Sequence, residues 1–517
     1  MSKVNLDALI PREDFEVGGA NNSGNLKQTL SVSDFSTNGF FYPFIRKPDF
    51  QRETSEWDEI KIGDFIESYI NGDLIPSVIL WRNSGGLFFV IDGAHRLSAL
   101  ISWINDDYGN GAISQKFYDS NISDEQKRIA ENTRKFINKK IGAYKDITET
   151  ANISNPNPDF LIKARNLAGF SIQVQWVDGD ASKAEDSFFK INQQGEPLNT
   201  TEIKLLKSRK KGNAIAARAI IRGGRGHKYW ATFTAENQKK IQEISDEINK
   251  IFFSPPLMTP LKTLDLPIAG KITSAQTLSL IFDFVNIVNQ IPSDYETKIN
   301  DDTNGEETLR YLQKVRKVAW RINSIHPSSL GLHPIVYFYS ADGRHKTASF
   351  YAITAWILET ESKINNFRDF IKVRPHFEKL LLKFDYLIQD INRKHRQAIR
   401  SFPFIKDFYI ECINQLIIGK NIDETISEII KTKKFNYLKI DNLQDQEITK
   451  SEFTTEKKSA IFIKEALSKS LNCSICYGLI HKNSITIDHI ERKQDGGLGS
   501  VDNGQLTHPY CNSTYKN

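Results

Sequence analysis

Three of the chain's four cysteines, with a dense set of His, Asp and Asn residues, fall in its last segment, residues 473–517: CSICYGLIHKNSITIDHIERKQDGGLGSVDNGQLTHPYCNSTYKN. Cys473 and Cys476 form a C-x2-C pair, and His508 and Cys511 an H-x2-C pair. At each spacing a tight turn aims two soft ligands at one tetrahedral ion, and Zn2+ is the expected occupant. His481 rivals His508 for the fourth position. The plain alternative is a set of small buried thiols with an incidental histidine. Two pairs at ligand spacing weigh against it. The remaining cysteine, Cys412 in FYIECINQLII, reads as core.

Between the two pairs, ITIDHI has the character of a strand in which Asp488 and His489 are adjacent. They project to opposite sides unless a bulge or turn redirects one. Gly496-Gly497 make a loop, Asn503 precedes the short strand QLTH, and Asn512 stands where a terminal helix should begin. DHI, then DGG, then DN-x-x-L, then the terminal CN resembles the HNH endonuclease family, whose fold is two strands and a helix around one metal. That resemblance implies that His489 is the general base, a task that suits an imidazole titrating near neutrality. It implies that Asp488 and Asn512 are ligands of a catalytic divalent ion, Mg2+ or Mn2+, which keeps positions for phosphate and water. Asn503 matches the residue that holds the loop and orients the base. His508 stands where many zinc-bearing members have Cys, a conservative exchange. A zinc ribbon that only binds DNA is the bland alternative, yet a ribbon has no need of an Asp-His pair and a spaced Asn.

A second constellation lies near the other end. Asp92-Gly93 follows the apolar run LFFVI and opens a helical pattern, with His95 and Arg96 on its first turn. Such a turn can cradle an anion between backbone N–H groups and a bidentate arginine. Taken alone, it reads better as a helix cap at Asp92, a glycine turn and a local ion pair. The order PDFQR (48–52), Trp57, LIPSVILW, IDGAHRLSAL, then FFKINQQGEPLNTTEIKLL resembles the N-terminal domain of GmrSD-type restriction endonucleases, related to the ParB nucleotide-binding fold. The family signature DGQQR is here DGAHR, with Ala94 and His95 replacing two glutamines. The resemblance implies binding or hydrolysis of a nucleoside triphosphate coupled to sensing of foreign or modified DNA. Gln51, Arg52, Asp92, Gly93, His95 and Arg96 are the residues that carry over. Asn192 and Gly195 match a second motif, although a simple turn also explains Gly195.

These sites need elements to position them. Trp57 to Ile70 has helical periodicity ending at Asn71-Gly72, IPSVILW and LFFVI read as strands, and Ala94 to Trp103 as a helix. FSIQVQWV is a further strand, followed by a helix through AEDSFFKIN and another opened by Asn199-Thr200-Thr201-Glu202. From about 235 to 435 long amphipathic patterns predict helices, for example TLRYLQKVRKVAWRI and FEKLLLKFDYLIQDI. Gly343-Arg344-His345-Lys346, behind VYFYS, is a weaker anion-site candidate. The expected organisation is an irregular lead-in (1–40), a ParB-like mixed α/β domain (41–215), an α-helical domain (216–440), and a linker with a ββα-metal HNH module (441–517). The fold class is therefore α/β (α+β) and multidomain.

Between Ile203 and Ala235 no acid occurs while basic residues accumulate. Lys207, Arg209, Lys210, Lys211 and Arg225 are candidate contacts to a phosphate backbone. The competing reading is a solvated face whose acids come from elsewhere in the protein. The net charge of +5 permits a nucleic-acid partner without establishing one. The 517 residues are 39% hydrophobic and 25% charged, which excludes disorder as a global state. No apolar run is long enough to span a membrane, and the N-terminus has no secretory pattern, so a cytoplasmic location is expected. The function these readings favour is a defence-associated, metal-dependent HNH endonuclease acting on DNA, controlled by the N-terminal domain. The rival readings are a nucleotide-responsive zinc-ribbon DNA-binding protein without cleavage, and an HNH nuclease acting on RNA.

Overall fold

The apolar runs VILWR and FFVID become the central strands of a six-stranded sheet in a computed structural model of the chain. The structure describes residues 3–516 except 14–25, 49–50, 52–53, 119, 121, 123, 154–155, 193–203, 206, 226–229, 273–276, 293–298, 364–366 and 441–452. Two compact units result: Met1–Arg209 with Arg225–Ala231, and Lys210–Gly224 with Thr232–Asn517.

In the first unit the strands are β1 (Arg12–Glu13), β2 (Thr29–Leu30), β3 (Ile45–Pro48), β4 (Val78–Arg82), β5 (Phe88–Asp92) and β6 (Ile172–Val177), in the order β1-β3-β5-β4-β6-β2. β1, β3 and β5 run parallel, β4 is antiparallel to β5 and parallel to β6, and β2 closes the far edge antiparallel to β6. Because side chains alternate along a strand, Val78, Leu80 and Val90 enter one core while Trp81, Phe89 and Ile91 enter another. The first core packs on α1 (Glu59–Asn71) and α2 (Ala94–Ile104) through Ile62, Ile66, Leu97 and Leu100. The second is covered by Ala184 and Phe188 of the Ala181–Asn192 helix. Both faces of the sheet are covered, so β4 and β5 read as nearly continuous apolar runs.

The expected lead-in is not merely irregular. Arg12–Glu13 and Thr29–Leu30 supply the two edge strands, and Val4, Leu6, Leu9, Leu30 and Phe35 lie in the core. Two-residue strands carry too little periodicity to be read from a polar, glycine-rich stretch.

The second unit is mainly helical. Every residue of the Gly212–Ile221 helix is buried, and the helices Ala235–Phe253, Thr277–Val288 and Glu306–Ile322 pack around it. The stretch read as a basic connector therefore contains a central core helix, NAIAARAII. FEKLLLKFDYLIQDI breaks at Phe384 into the helices Arg368–Lys383 and Asp385–His395. Of the expected linker, residues 441–452 lie outside the described residues. Its remainder begins the Thr455–Leu467 helix, capped by Thr454. β7 (Thr486–His489) and β8 (Gly504–Thr507) form an antiparallel hairpin, followed by a single wide turn at Cys511–Tyr515 in place of a regular helix. The helical segment and this hairpin belong to one unit, where the sequence predicts two domains. No helix among the described residues is long and apolar enough to cross a membrane.

Candidate functional site

Cys473 and Cys476 sit on a knuckle closed by hydrogen bonds from Tyr477 N to Cys473 O and from Cys473 N to Gly478 O, both 2.9 Å. The turn after β8 brings up His508 and Cys511, and the four ligand atoms lie within 4.8 Å of one another, all on buried residues. His508 Nε2 donates to Leu479 O at 3.0 Å, which leaves Nδ1 toward Cys476 Sγ (3.3 Å) and Cys511 Sγ (3.9 Å). Three thiols this close cannot all ionise unaided. Bonding from Cys476 and Cys511 holds the Cys473 thiol far below its usual range, while the same contacts push Cys476 up to about 12 and Cys511 higher. A soft divalent cation removes that conflict, so the donor set fits zinc.

His481 is excluded from this cluster. It is fully buried elsewhere, with Nδ1 3.2 Å from Asn323 Oδ1 and its ring edge-on to His333. The residues that hold the cluster lie in a part of the chain the spacing could not indicate. Arg374, sealed from water, donates from Nη1 to Leu330 O (2.6 Å) and from Nη2 to Gly331 O (2.9 Å), and its Nη1 stands 3.2 Å from His508 Nδ1. Glu378 takes Arg374 Nε at 2.7 Å, Tyr337 Oη at 3.0 Å and the backbone N–H of Leu479 at 2.9 Å. A site of three thiolates and a neutral imidazole around Zn2+ carries net negative charge, and Arg374 answers it.

Asp488 and His489 end β7 in regular register, paired with Gln505 and Gly504. No bulge intervenes, so they project to opposite sides of the hairpin, and Asp488 is the buried one. Gln505 Nε2 reaches Asp488 Oδ2 at 2.9 Å, and Lys516 Nζ reaches the same oxygen at 2.7 Å. Asn512, on the turn after Cys511, donates from Nδ2 to Ile487 O at 3.3 Å, one residue before Asp488. Asn503 fastens the connecting loop. Its Oδ1 accepts from Glu491 N (2.7 Å), and its Nδ2 donates to Glu491 O (3.2 Å) and Leu498 O (2.8 Å). Gly497 passes so close that a Cβ there would lie 2.0 Å from Glu491 O. A carboxylate and an amide on adjoining elements are hard oxygen donors and fit a small divalent cation.

In the first unit, the parallel pairing of β3 with β5 ends both strands, at Pro48 and Asp92, on the same side of the sheet. Crevices at such strand ends are where open α/β sheets bind ligands. Gly93 caps α2 at φ 97°, and a Cβ there would lie 2.7 Å from Val78 Cγ1, so both backbone angle and space demand glycine. Arg96 Nη2 binds Asp92 Oδ2 at 2.5 Å, and the His95 ring stacks on Trp57 with centroids 5.7 Å apart. Asp92 thus pairs with Arg96, and its side chain is not the cap. The Gln51 carbonyl accepts from Arg12 at 3.3 Å, and Arg12 is itself clamped bidentately by buried Asp7 at 2.5 and 2.6 Å. Gln51 Oε1 is buried with no hydrogen-bond partner among the described residues, an acceptor a ligand's donor would satisfy. Arg52 and Gly195 lie outside the described residues, as does the side chain of Asn192.

The basic candidates divide. Arg209 is held bidentately by Glu185 at 2.7 and 2.9 Å. Lys211 is 8% exposed and donates to Ile299 O, with Asp301 at 3.7 Å. These two charges are taken up inside the protein. Lys207 is exposed, while Lys210 and Arg225 are half-buried. Gly343-Arg344-His345-Lys346 is a tight turn in which Lys346 binds Asp385 and His345 Nε2 meets Ile268 O at 3.0 Å, a structural role.

Residues 31–209 match the family "GmrSD restriction endonuclease, N-terminal domain", and residues 473–517 match the family "HNH endonuclease". No curated protein matches the chain, and neither does any solved structure.

Proposed function

We propose that this chain, with the architecture of a GmrSD-type restriction endonuclease, is a DNA-cleaving restriction nuclease whose phosphodiester chemistry resides in the hairpin module. The observation that carries this is the placing of Asp488 and His489 at the end of β7, with the Asn512 amide bonded to that strand at Ile487 O and the following loop fastened by Asn503. In this reading His489 accepts the proton of the attacking water. Asp488 and Asn512 hold a Mg2+ or Mn2+ ion, which supplies charge stabilisation at the phosphate and the leaving oxygen. Asn503 keeps the strand end that bears His489 from shifting, and the zinc cluster fixes the turn that bears Asn512. A zinc ribbon without cleavage would have no use for an Asp-His strand end so arranged.

In the first unit, the β3–β5 edge is proposed to take a nucleoside triphosphate, with Arg96 on phosphate and the Gln51 side chain on a ligand donor. Its occupancy would license cleavage of foreign or modified DNA by the nuclease module. The deciding experiment incubates plasmid and RNA separately with the full-length chain, Mg2+ or Mn2+, and with or without triphosphates. Cleavage of DNA that His489→Ala lacks supports the proposal. Intact DNA under every condition refutes it.

A further inference from the structure

Lys516 has no part in the residue pattern by which this site is recognised, yet it stands at the site's carboxylate. Its ammonium stands 2.7 Å from Asp488 Oδ2 and also donates to the carbonyl of His489. The two side chains are only 18% and 9% exposed, so water screens the pair incompletely. The placement is fixed from two directions. Lys516 N donates to the carbonyl of Cys511 at 3.1 Å, and the Lys516 carbonyl accepts from Arg492 Nη2 at 2.7 Å. The residue is thus tied both to the backbone of a cluster cysteine, Cys511, and to the segment that follows His489. A strong cation is built against the one carboxylate that the proposed function gives to the divalent ion.

Two cations cannot use the same carboxylate oxygen without repelling each other, whereas a largely buried carboxylate with none is costly. Lysine can resolve this because its charge rides on a flexible four-carbon stem while its backbone stays anchored. We propose that Lys516 is an exchange residue: it neutralises Asp488 in the resting protein, yields that oxygen to the divalent ion, and turns its ammonium to a phosphate oxygen of the bound DNA. This rests on the reading of Asp488 as a metal ligand. No bond is made or broken in the exchange, and the ammonium stays protonated throughout. On the phosphate, it adds positive charge where negative charge develops during cleavage. Before DNA arrives, it keeps the nuclease's affinity for the ion low.

The test uses the full-length protein and Mn2+ alone, titrated by electron paramagnetic resonance without nucleic acid, followed by single-turnover plasmid cleavage at saturating Mn2+. Lys516→Ala should bind Mn2+ about tenfold more tightly than wild type, within the usual range for couplings between two ligands. The same variant should cleave at least about tenfold more slowly, as expected when one charge on the transition state is lost. Unchanged or weaker Mn2+ binding by Lys516→Ala overturns the exchange, and so does full-rate cleavage. If Asp488→Ala loses the ion while Lys516→Ala matches wild type, the exchange fails and the metal reading stands. If Asp488→Ala binds Mn2+ as wild type does, the metal reading itself fails and takes the exchange with it. Zinc content reports whether each variant is folded, and Lys516→Gln carries the same comparison should the alanine variant not fold.

Discussion

Arg374 Nε meets Glu378 Oε1 at 2.7 Å with both side chains closed off from water, and the pair stands against the cluster of Cys473, Cys476, His508 and Cys511. Arg374 faces His508, and Glu378 holds the N–H of Leu479, so one helical turn of Arg368–Lys383 grips both halves of the cluster. Removing one partner of a buried pair strands the other charge and costs about 3 to 5 kcal/mol. Arg374→Ala should therefore lower the unfolding midpoint and release zinc under chelator concentrations that wild type withstands. A variant with wild-type melting and zinc retention would show the contact to be incidental.

The cluster itself makes a simpler prediction. Cys473→Ser and Cys511→Ser should each abolish stoichiometric zinc, because three donors of a closed tetrahedral site bind far less tightly than four. His481→Ala should keep it, since His481 bonds Asn323 and stands apart from the thiols. Elemental analysis of the purified variants decides both, and zinc retention by either serine variant contradicts the assignment.

Much of this site was legible in the sequence, and the reason is spacing. Cys473, Cys476, His508 and Cys511 declare themselves because turn-borne ligands keep short, fixed intervals. Asp488, His489 and Asn503 stand out only through the resemblance of DHI, DGG and DN-x-x-L to the HNH family. Arg374 could not be found this way. It lies in the amphipathic helix Arg368–Lys383, and nothing local distinguishes an inward arginine from a surface one. Lys516 could not be found this way either, because only the wide turn at Cys511–Tyr515 brings it to Asp488. In the first unit the runs of β4, β5 and β6 were readable from their apolar character, whereas β1 and β2 are defined by pairing with distant strands. The buried helix Gly212–Ile221 was obscured by the basic residues on both sides of it.

Acid should weaken the second unit through two histidines. His481 has its pKa lowered to about 4, first by burial, against an opposing contribution from Asp265. Burial likewise lowers that of His333 well below its usual value. An unfolded chain protonates both near 6.5, while the folded one resists, so the unfolded state binds more protons as pH falls. Stability is thus fully present above about 6.5 and is lost progressively toward about 4, roughly 3 kcal/mol for His481 alone. Denaturant melts at pH 7.5 and 5 should differ in that direction, and His481→Asn should shrink the difference. An equal slope in that variant would assign the acid sensitivity to other groups.

His489→Ala should lower the cleavage rate about 100- to 10,000-fold with zinc content unchanged, the usual contribution of a general base. Asp488→Ala should lose activity as well, with partial recovery at high Mn2+, because a missing ligand weakens affinity before it alters the chemistry. Asn503→Ala removes three hydrogen bonds of the loop, roughly 1 to 2 kcal/mol of local order, and should slow cleavage less than His489→Ala does. Single-turnover rates at several Mn2+ concentrations separate the three, and a His489→Ala rate equal to wild type would end the general-base assignment.

The hardest prediction concerns Arg96. Its guanidinium is bound by Asp92, so a triphosphate at the β3–β5 edge must win it from that carboxylate or share it. If Arg96 is the phosphate ligand, the Asp92 pair is a competitor. Arg96→Ala should then weaken triphosphate binding at least about tenfold, the loss expected for a charge-assisted bidentate contact. Asp92→Asn should leave binding equal or tighter. If instead Asp92 works on the ligand's own cation, Asp92→Asn weakens binding as much as Arg96→Ala does, and the two losses do not add, because each breaks the same array. Gly93→Ala should abolish binding in either case, since a Cβ at φ 97° collides with Val78 and displaces the start of α2. Titration calorimetry on the full-length chain with each variant distinguishes these outcomes. No heat of binding from any nucleoside triphosphate to wild type would reduce DGAHR to a strand-to-helix turn closed by an ion pair, and the replacement of two family glutamines by Ala94 and His95 would be the physical reason.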